Sequence, residues 1–245
     1  MDLIYYHFEL REKLLMSELY LVRHGQASFG SSDYDQLSEI GFKQSNVLGE
    51  FFVSRNIIFD RFVCGDMRRH RQTISQVCEG MQLSKYNLDI LPGLNEYDFE
   101  NLFLAYGKIF GDDDSYKKAK KNPKDKKNYY RLLRKILNVW VSDQLPDVDE
   151  KWDVFKSRVS ESLENIMSNS QTGSKALVIA SGGSISMLLG LVLQIPDEKV
   201  FDLNLQYLNT GVTHFFFNQE KINLTGFNNI SHLILNDDDR LITYG

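Results

Sequence analysis

Cysteine is scarce in this chain. Its 245 residues hold two, Cys64 and Cys78, and neither belongs to a CxxC pair. Two isolated thiols exclude a disulfide framework and point to a reduced, cytoplasmic setting. Histidine is also thinly spread: His7, His24, His70, His214 and His232 show no metal-ligand spacing. A basic excess is missing. Lys and Arg number 28 against 33 Asp and Glu, a formal net charge of -5, which argues against a general nucleic-acid binder. No cationic leader with a following apolar stretch opens the chain, so no signal peptide is read. The longest apolar run, 176–195, approaches the length of a membrane span but is broken by Ser181-Gly182-Gly183-Ser184. A short strand, a glycine turn and a buried helix fit it better, and no membrane partner is expected. Internal repeats are absent.

What is present reads as an α/β protein. Hydrophobic residues at 42% and charged residues at 25% are ordinary globular values, and the length allows one large domain or two small ones. Residues 1–15 precede a second methionine and read either as an upstream start or as a short helix on the outside. From Glu18 onward strand-like and helical runs alternate. Leu19 to Val22 reads as a strand ending at Arg23. Ser38 to Arg55 reads as a helix with Ile40, Val47, Leu48, Phe51 and Phe52 on one face. Arg61 to Cys64 is a strand, Asp66 to Met81 a helix that Asp66 would cap, and Leu88 to Leu91 a strand closed by Pro92-Gly93. Between about 98 and 150 the rhythm breaks. A lysine-rich stretch leads into an apolar helical stripe over Tyr129 to Val141, which reads as a helical insertion. Trp152 to Ile166 is amphipathic, Lys175 to Ala180 a buried strand and Gly183 to Leu193 a helix. Gln206–Asn209, Val212–Phe217 and Ile222–Phe227 read as β structure.

Four segments carry chemistry. The first is LYLVRHGQ, where an apolar strand delivers Arg23-His24-Gly25 at its C-terminal end, the place where open α/β sheets put their ligands. The second and third are DQLSEIGFKQ and GDMRRHRQT; the fourth is LPGLNEYDF. In this order they resemble the histidine phosphatase (phosphoglycerate-mutase-like) superfamily, from roughly Glu18 to Gly211. The resemblance implies a three-layer α/β/α fold with a mixed, mostly parallel sheet. It would make 1–17 an N-terminal extension and 18–245 one domain carrying the insertion. It also implies roles: His24 as phosphoryl-accepting nucleophile, Arg23 and Arg69 as phosphate clamps with Thr73 as an anchor, and Glu96 as general acid and base. A general acid near neutral pH needs a carboxyl with a raised pKa, which a closed pocket supplies. Asp98 is the reserve. Arg68 and Arg71 read as solvated charges and His70 as a helix-surface histidine. Arginines and histidine supply the charge, so no metal or other cofactor is implied.

One element departs from the pattern. Most members carry a second histidine in an S-H-G-G strand end; here ALVIASGGSIS places Ser181 at that position before Gly182 and Gly183. Serine still donates one hydrogen bond, and Gly182 and Gly183 open a helix whose N–H groups form an anion site. Ser181 and Gly182 are therefore read as phosphate-binding. His214, in the alternating run VTHFFF, reads as structural, and His232 as a local loop contact. Between Asp112 and Lys135, ten Lys or Arg face four Asp. This segment either covers the site and attracts an anionic ester or is a solvated face. The partner expected is a small phosphorylated substrate. Gly30 stands six after His24, where mutases carry asparagine, which favours a phosphomonoester hydrolase. A mutase-type phosphotransferase and a non-catalytic phospholigand module remain as alternatives.

Overall fold

The computed structural model describes residues 16–28, 35–122 and 125–244, so residues 1–15 and Gly30 lie outside the described part. Strand β1 (Ser17–Arg23) starts two residues earlier than the sequence suggests and is followed by helix α1 (Glu39–Ser54). Ser38 caps α1 as its position implies, its hydroxyl accepting from Gly41 N at 3.1 Å. Strand β2 (Arg61–Cys64), helix α2 (Arg68–Gly80) and strand β3 (Leu88–Ile90) complete the first half. Asp66 does not cap α2. The N-cap is Met67, without a side-chain bond, and Asp35 from the preceding loop accepts instead from Arg68 N at 2.9 Å.

The insertion is more helical than its composition suggests. It folds as α3 (Phe99–Phe110), α4 (Asp114–Lys121) and α5 (Lys126–Val141), with Asp98, Asp113 and Asp125 as N-caps. The chain returns through α6 (Trp152–Ser168), β4 (Lys175–Ala180), α7 (Gly182–Leu193), α8 (Asp197–Asn204), β5 (Val212–Phe217), β6 (Ile222–Asn229) and α9 (Ser231–Ile234). Gln206–Asn209 is not a strand. Thr210 adopts φ 56°, turning the chain, and Leu208 makes only an isolated bridge to Tyr244.

Six strands form one sheet in the order β3-β2-β4-β1-β5-β6. The first four are mutually parallel; β5 runs antiparallel to β1, and β6 to β5. Alternation along each strand feeds two cores. Leu19, Leu21, Val63, Val178 and Phe215 face α5, α6, α7 and α8. Val22, Phe62, Cys64, Leu177 and Ile179 face α1 and α2. The result is three layers. Strand β4 is covered on both faces, which explains why ALVIA is apolar throughout instead of alternating. Trp140 from the insertion and Trp152, Phe155 and Phe201 join the same core as the sheet, and the insertion widens that helical layer by packing on α8. Truncating one such ring would cost about 3–5 kcal/mol.

Candidate active site

Register puts the candidate residues together. Arg23 pairs with Ala180 in the parallel β1–β4 ladder, so His24 and Ser181 leave adjacent strand ends side by side. His24 N donates to Ala180 O at 3.0 Å, and Asn209 Nδ2 donates to His24 O at 3.2 Å. Gly25 follows because helix α1 passes directly behind. A Cβ there would stand 2.5 Å from Gly41 O. Gly25 N donates to Thr73 Oγ1 at 3.0 Å, and Thr73 in turn donates to Arg69 O at 2.7 Å. Thr73 thus ties the Arg-His-Gly loop to α2.

His24 is 5% exposed and its tautomer is fixed by its neighbours. Nδ1 lies 2.7 Å from Gly25 O, an acceptor, so Nδ1 carries the proton and Nε2 the lone pair. Arg69 Nε donates to that Nε2 at 3.1 Å. Burial pushes the His24 pKa well down, and the charges of Arg69 and Arg23 and the nearby His70 push the same way. The ring is therefore neutral, the state in which an imidazole can act as a nucleophile. Arg69 is itself 4% exposed, and its partners include His24, Asp35 Oδ1 at 2.8 Å from Nη1 and Ser181 Oγ at 3.3 Å from Nη2. Arg23 Nη1 donates to Tyr207 O at 2.6 Å.

Glu96 closes the opposite side. Its Oε2 accepts from Gly183 N at 3.1 Å and its Oε1 from Tyr97 N at 3.3 Å. Burial raises its pKa, outweighing the Gly183 bond, both arginines and the Tyr97 bond, which all lower it. The N-terminus of α7 therefore binds the carboxyl of Glu96 through Gly183. Gly182 faces Arg23, where an added Cβ would stand 3.4 Å from Nε. Arg158 supports the loop from behind, donating to Gly93 O at 2.8 Å and Asn95 O at 2.7 Å. Arg23, His24, Arg69 and Glu96 open together into a cavity of about 570 Å³, whereas Ser181 and Gly182, expected at the phosphate site, are buried and do not line it. Tyr97, Phe99, Tyr129, Tyr130, Leu133 and Tyr207 supply much of its remaining wall.

The sequence profile described as "Histidine phosphatase superfamily (branch 1)" matches residues 19–230. The chain belongs to this superfamily. The chain is similar to a 2,3-bisphosphoglycerate-dependent phosphoglycerate mutase of Elusimicrobium minutum, at 24% identity over 239 residues, 86% of this chain and 90% of the relative. An adenosylcobalamin/alpha-ribazole phosphatase of Salmonella typhimurium is 24% identical over 197 residues, 77% of this chain and 85% of that one. In fold, the crystal structure of a phosphoglycerate mutase from Bacillus anthracis superposes with a TM-score of 0.67 at 20% identity, covering 93% of this chain and 100% of that one. The chain's superfamily thus includes both phosphatases and mutases among its relatives.

Within this histidine phosphatase superfamily member, His70 differs from its expected place. It is not on the helix surface but has 0% exposure, with Nε2 2.7 Å from Ser181 Oγ and its ring centroid 5.6 Å from that of His24. The signal was in the helix period: His70, Thr73, Ile74 and Val77 share one buried face. Arg71 is exposed and paired with Asp66, as a solvated charge should be. Asp98 lines the cavity, and its carboxylate caps α3 by accepting from Asn101 N at 3.0 Å. His214 sits on β5 against Thr225 and Glu18, and His232 bonds Thr210; neither lines the cavity. Sequence reasoning missed Asp35, Asn209 and Arg158, which orient functional groups without belonging to a motif. The lysine-rich segment does reach the site, but with Tyr129, Tyr130 and Leu133; Lys117 and Lys135 are paired with Asp112 and Asp113. Among the described residues, no cluster of three or more His, Cys, Asp or Glu could hold a metal, and no helix is long and apolar enough to cross a membrane.

Proposed function

We propose that the chain is a phosphomonoester hydrolase that works through a phosphohistidine on His24. The observation that carries this reading is the pinned tautomer: a buried, neutral imidazole with its lone pair on Nε2, beside two arginines and opposite a carboxyl of raised pKa. An incoming phosphoryl group takes over the Nε–H of Arg69 and so releases Nε2 for attack. Arg23 and Arg69 hold the non-bridging oxygens, where most of the catalytic stabilisation lies. As the N–P bond forms, the ester O–P bond breaks and Glu96 gives its proton to the leaving alcohol. Glu96, now a carboxylate, takes a proton from water as that water attacks phosphorus. The N–P bond breaks, inorganic phosphate leaves, and His24 and Glu96 return to their starting states.

Hydrolysis is favoured over mutase chemistry by the charge of the walls. Among the described residues lining the cavity, Arg23 and Arg69 are the cations, while Asp98 and Glu100 add negative charge. A mutase must retain and reorient an intermediate bearing a second anionic group; among the described residues the further cations Lys127, Arg131 and Arg134 line a neighbouring pocket and not this cavity. Its volume and its aromatic walls suit an alcohol with apolar or aromatic bulk. The test is a panel of phosphomonoesters on the wild type beside His24→Ala. Released phosphate, with an acid-labile, base-stable phosphate on the wild-type protein only, is expected. Unchanged turnover in His24→Ala would remove it from the role, exchange of phosphate between positions of one substrate would indicate a mutase, and binding without turnover a non-catalytic module.

A further inference from the structure

Ser181 and His70 take no part in the steps above, yet both have 0% exposure beside the nucleophile. Ser181 is the N-cap of α7, in the extended conformation from which a serine ordinarily caps its helix, and such a cap contributes about 1 kcal/mol. It makes no capping bond. Its hydroxyl is turned instead to Arg69 Nη2 at 3.3 Å and His70 Nε2 at 2.7 Å.

Proton counting decides what that hydroxyl does. Arginine only donates, so the Ser181 oxygen accepts from Arg69. Toward His70 two arrangements exist. If Ser181 donates, the His70 proton sits on Nδ1, which is buried and has no partner. Gly65 packs tightly there, for even a Cβ on it would stand 2.3 Å from Nδ1. That arrangement orphans a buried N–H, at about 1–3 kcal/mol. If His70 donates from Nε2, only a lone pair goes unmet, and buried acceptors tolerate this better than donors. The second arrangement is the favoured one. The Ser181 oxygen then accepts twice, and its own proton has no acceptor among the described residues.

We propose that His70 and Ser181 form a phosphate-binding pair, in which His70 fixes Ser181 as a donor and the Ser181 hydroxyl, covered by Arg69 and off the cavity wall until that side chain moves onto the phosphate, binds a phosphoryl oxygen beside it. The inference rests on the phosphate-site reading given above. His70 acts through Ser181 and is a positioning residue. Burial, and then the charge of Arg69, hold the His70 pKa well down, so the pair contributes oriented dipoles and no charge. The imidazole stands on helix α2 with its Nε2 2.7 Å from Ser181 Oγ, so a larger side chain at 181 that follows the direction of Oγ would meet it.

The test measures inorganic phosphate affinity by calorimetry and kcat/KM on p-nitrophenyl phosphate, with thermal melts alongside. Ser181→Ala and His70→Leu should each weaken phosphate binding about tenfold, as loss of one neutral hydrogen bond does. The double variant should be no weaker than Ser181→Ala alone, because the two residues act as one unit. His70→Gln, which keeps a reaching N–H, should recover most of the affinity; a merely structural His70 would not separate Gln from Leu. If His70→Leu does not fold, His70→Asn, one methylene too short to reach Ser181, replaces it with the same loss expected. Ser181→His alone should bind poorly, and adding His70→Ala should restore binding by making room. Losses that multiply in the double variant, equal losses in the Leu (or Asn) and Gln variants, or a wild type with no measurable phosphate affinity would overturn the pair. A wild type that binds phosphate with this pattern but never turns over would sink the hydrolase reading alone.

Discussion

His232 is 2% exposed, and its Nε2 lies 2.9 Å from Thr210 Oγ1. The Thr210 hydroxyl donates to Asn209 O at 2.7 Å, so it accepts from His232, which is neutral with its proton on Nε2. Burial pushes the pKa of His232 down to about 3, against about 6.5 in an unfolded chain. Between those values the unfolded state is protonated at this site and the folded state is not. Stability therefore rises with pH across the window and is lost as pH falls below about 6.5. By pH 5 the loss spans one and a half pH units at about 1.36 kcal/mol each, or about 2 kcal/mol from this one ring. The perturbation is His232→Gln, which keeps an N–H for Thr210 and removes the titration. Urea unfolding at pH 7.5 and pH 5.0 measures the effect in both proteins. The wild type should lose about 2 kcal/mol more than the variant on acidification, a relative midpoint shift of about 1 M at typical slopes. His24 and His70 are depressed in both proteins and cancel in the comparison. Equal acid sensitivity of the two proteins would refute the reasoning.

Glu96→Gln should lose about 10²–10⁴-fold in turnover on alkyl phosphates and far less on nitrophenyl phosphate, whose leaving group needs no proton; equal losses would reassign Glu96 to binding. Because burial raises the Glu96 pKa, the folded state binds more protons there than the unfolded one, so ionising it costs stability as pH rises. The same Gln variant should accordingly match or exceed the wild-type melting temperature at pH 7.5, and a lower one counts against a raised pKa. In pH profiles of kcat/KM on alkyl esters, the acid limb should lie below pH 6.5, because the His24 pKa is depressed, with the alkaline fall set by Glu96 above 4.5. A His24 limb at or above 6.5 would contradict its burial. Gly65→Ala should displace His70, since its Cβ would stand 2.3 Å from Nδ1 and 2.8 Å from Asn95 Oδ1. A stability loss of about 1–3 kcal/mol together with weaker phosphate binding is expected, and neither would appear if the helix can shift freely.

How much of this was legible in the sequence depended on how local the determining physics is. β4 and β1 were readable because a strand buried between neighbours needs a run of apolar residues, and α1 because Ile40, Val47, Leu48, Phe51 and Phe52 recur on one helical face. Arg69 and Thr73 were singled out by the resemblance of GDMRRHRQT to the superfamily's segment, and the structure ties them one helical turn apart. His70 was misread because its neighbours Arg68, Arg69 and Arg71 made that turn look solvated, although its register with Ile74 and Val77 placed it inside. Asp35, Asn209 and Arg158 reach the site from 34, 185 and 62 residues away from the groups they hold, and no sequence periodicity records such pairings. Gln206–Asn209 looked like a strand only until Thr210 turned the backbone into the left-handed region.

Tyr97 stands next to Glu96 with one face on the cavity and the other on the insertion. Its ring centroid lies 5.3 Å from that of Trp140, which is 5.2 Å from Trp152. These are the two tryptophans of the chain. All of its indole emission therefore arises from one aromatic cluster that begins beside Glu96. Any occupant that shifts Tyr97 alters the surroundings of every tryptophan present. The protein thus carries a label-free optical reporter of what enters its cavity, wired through the insertion's own packing.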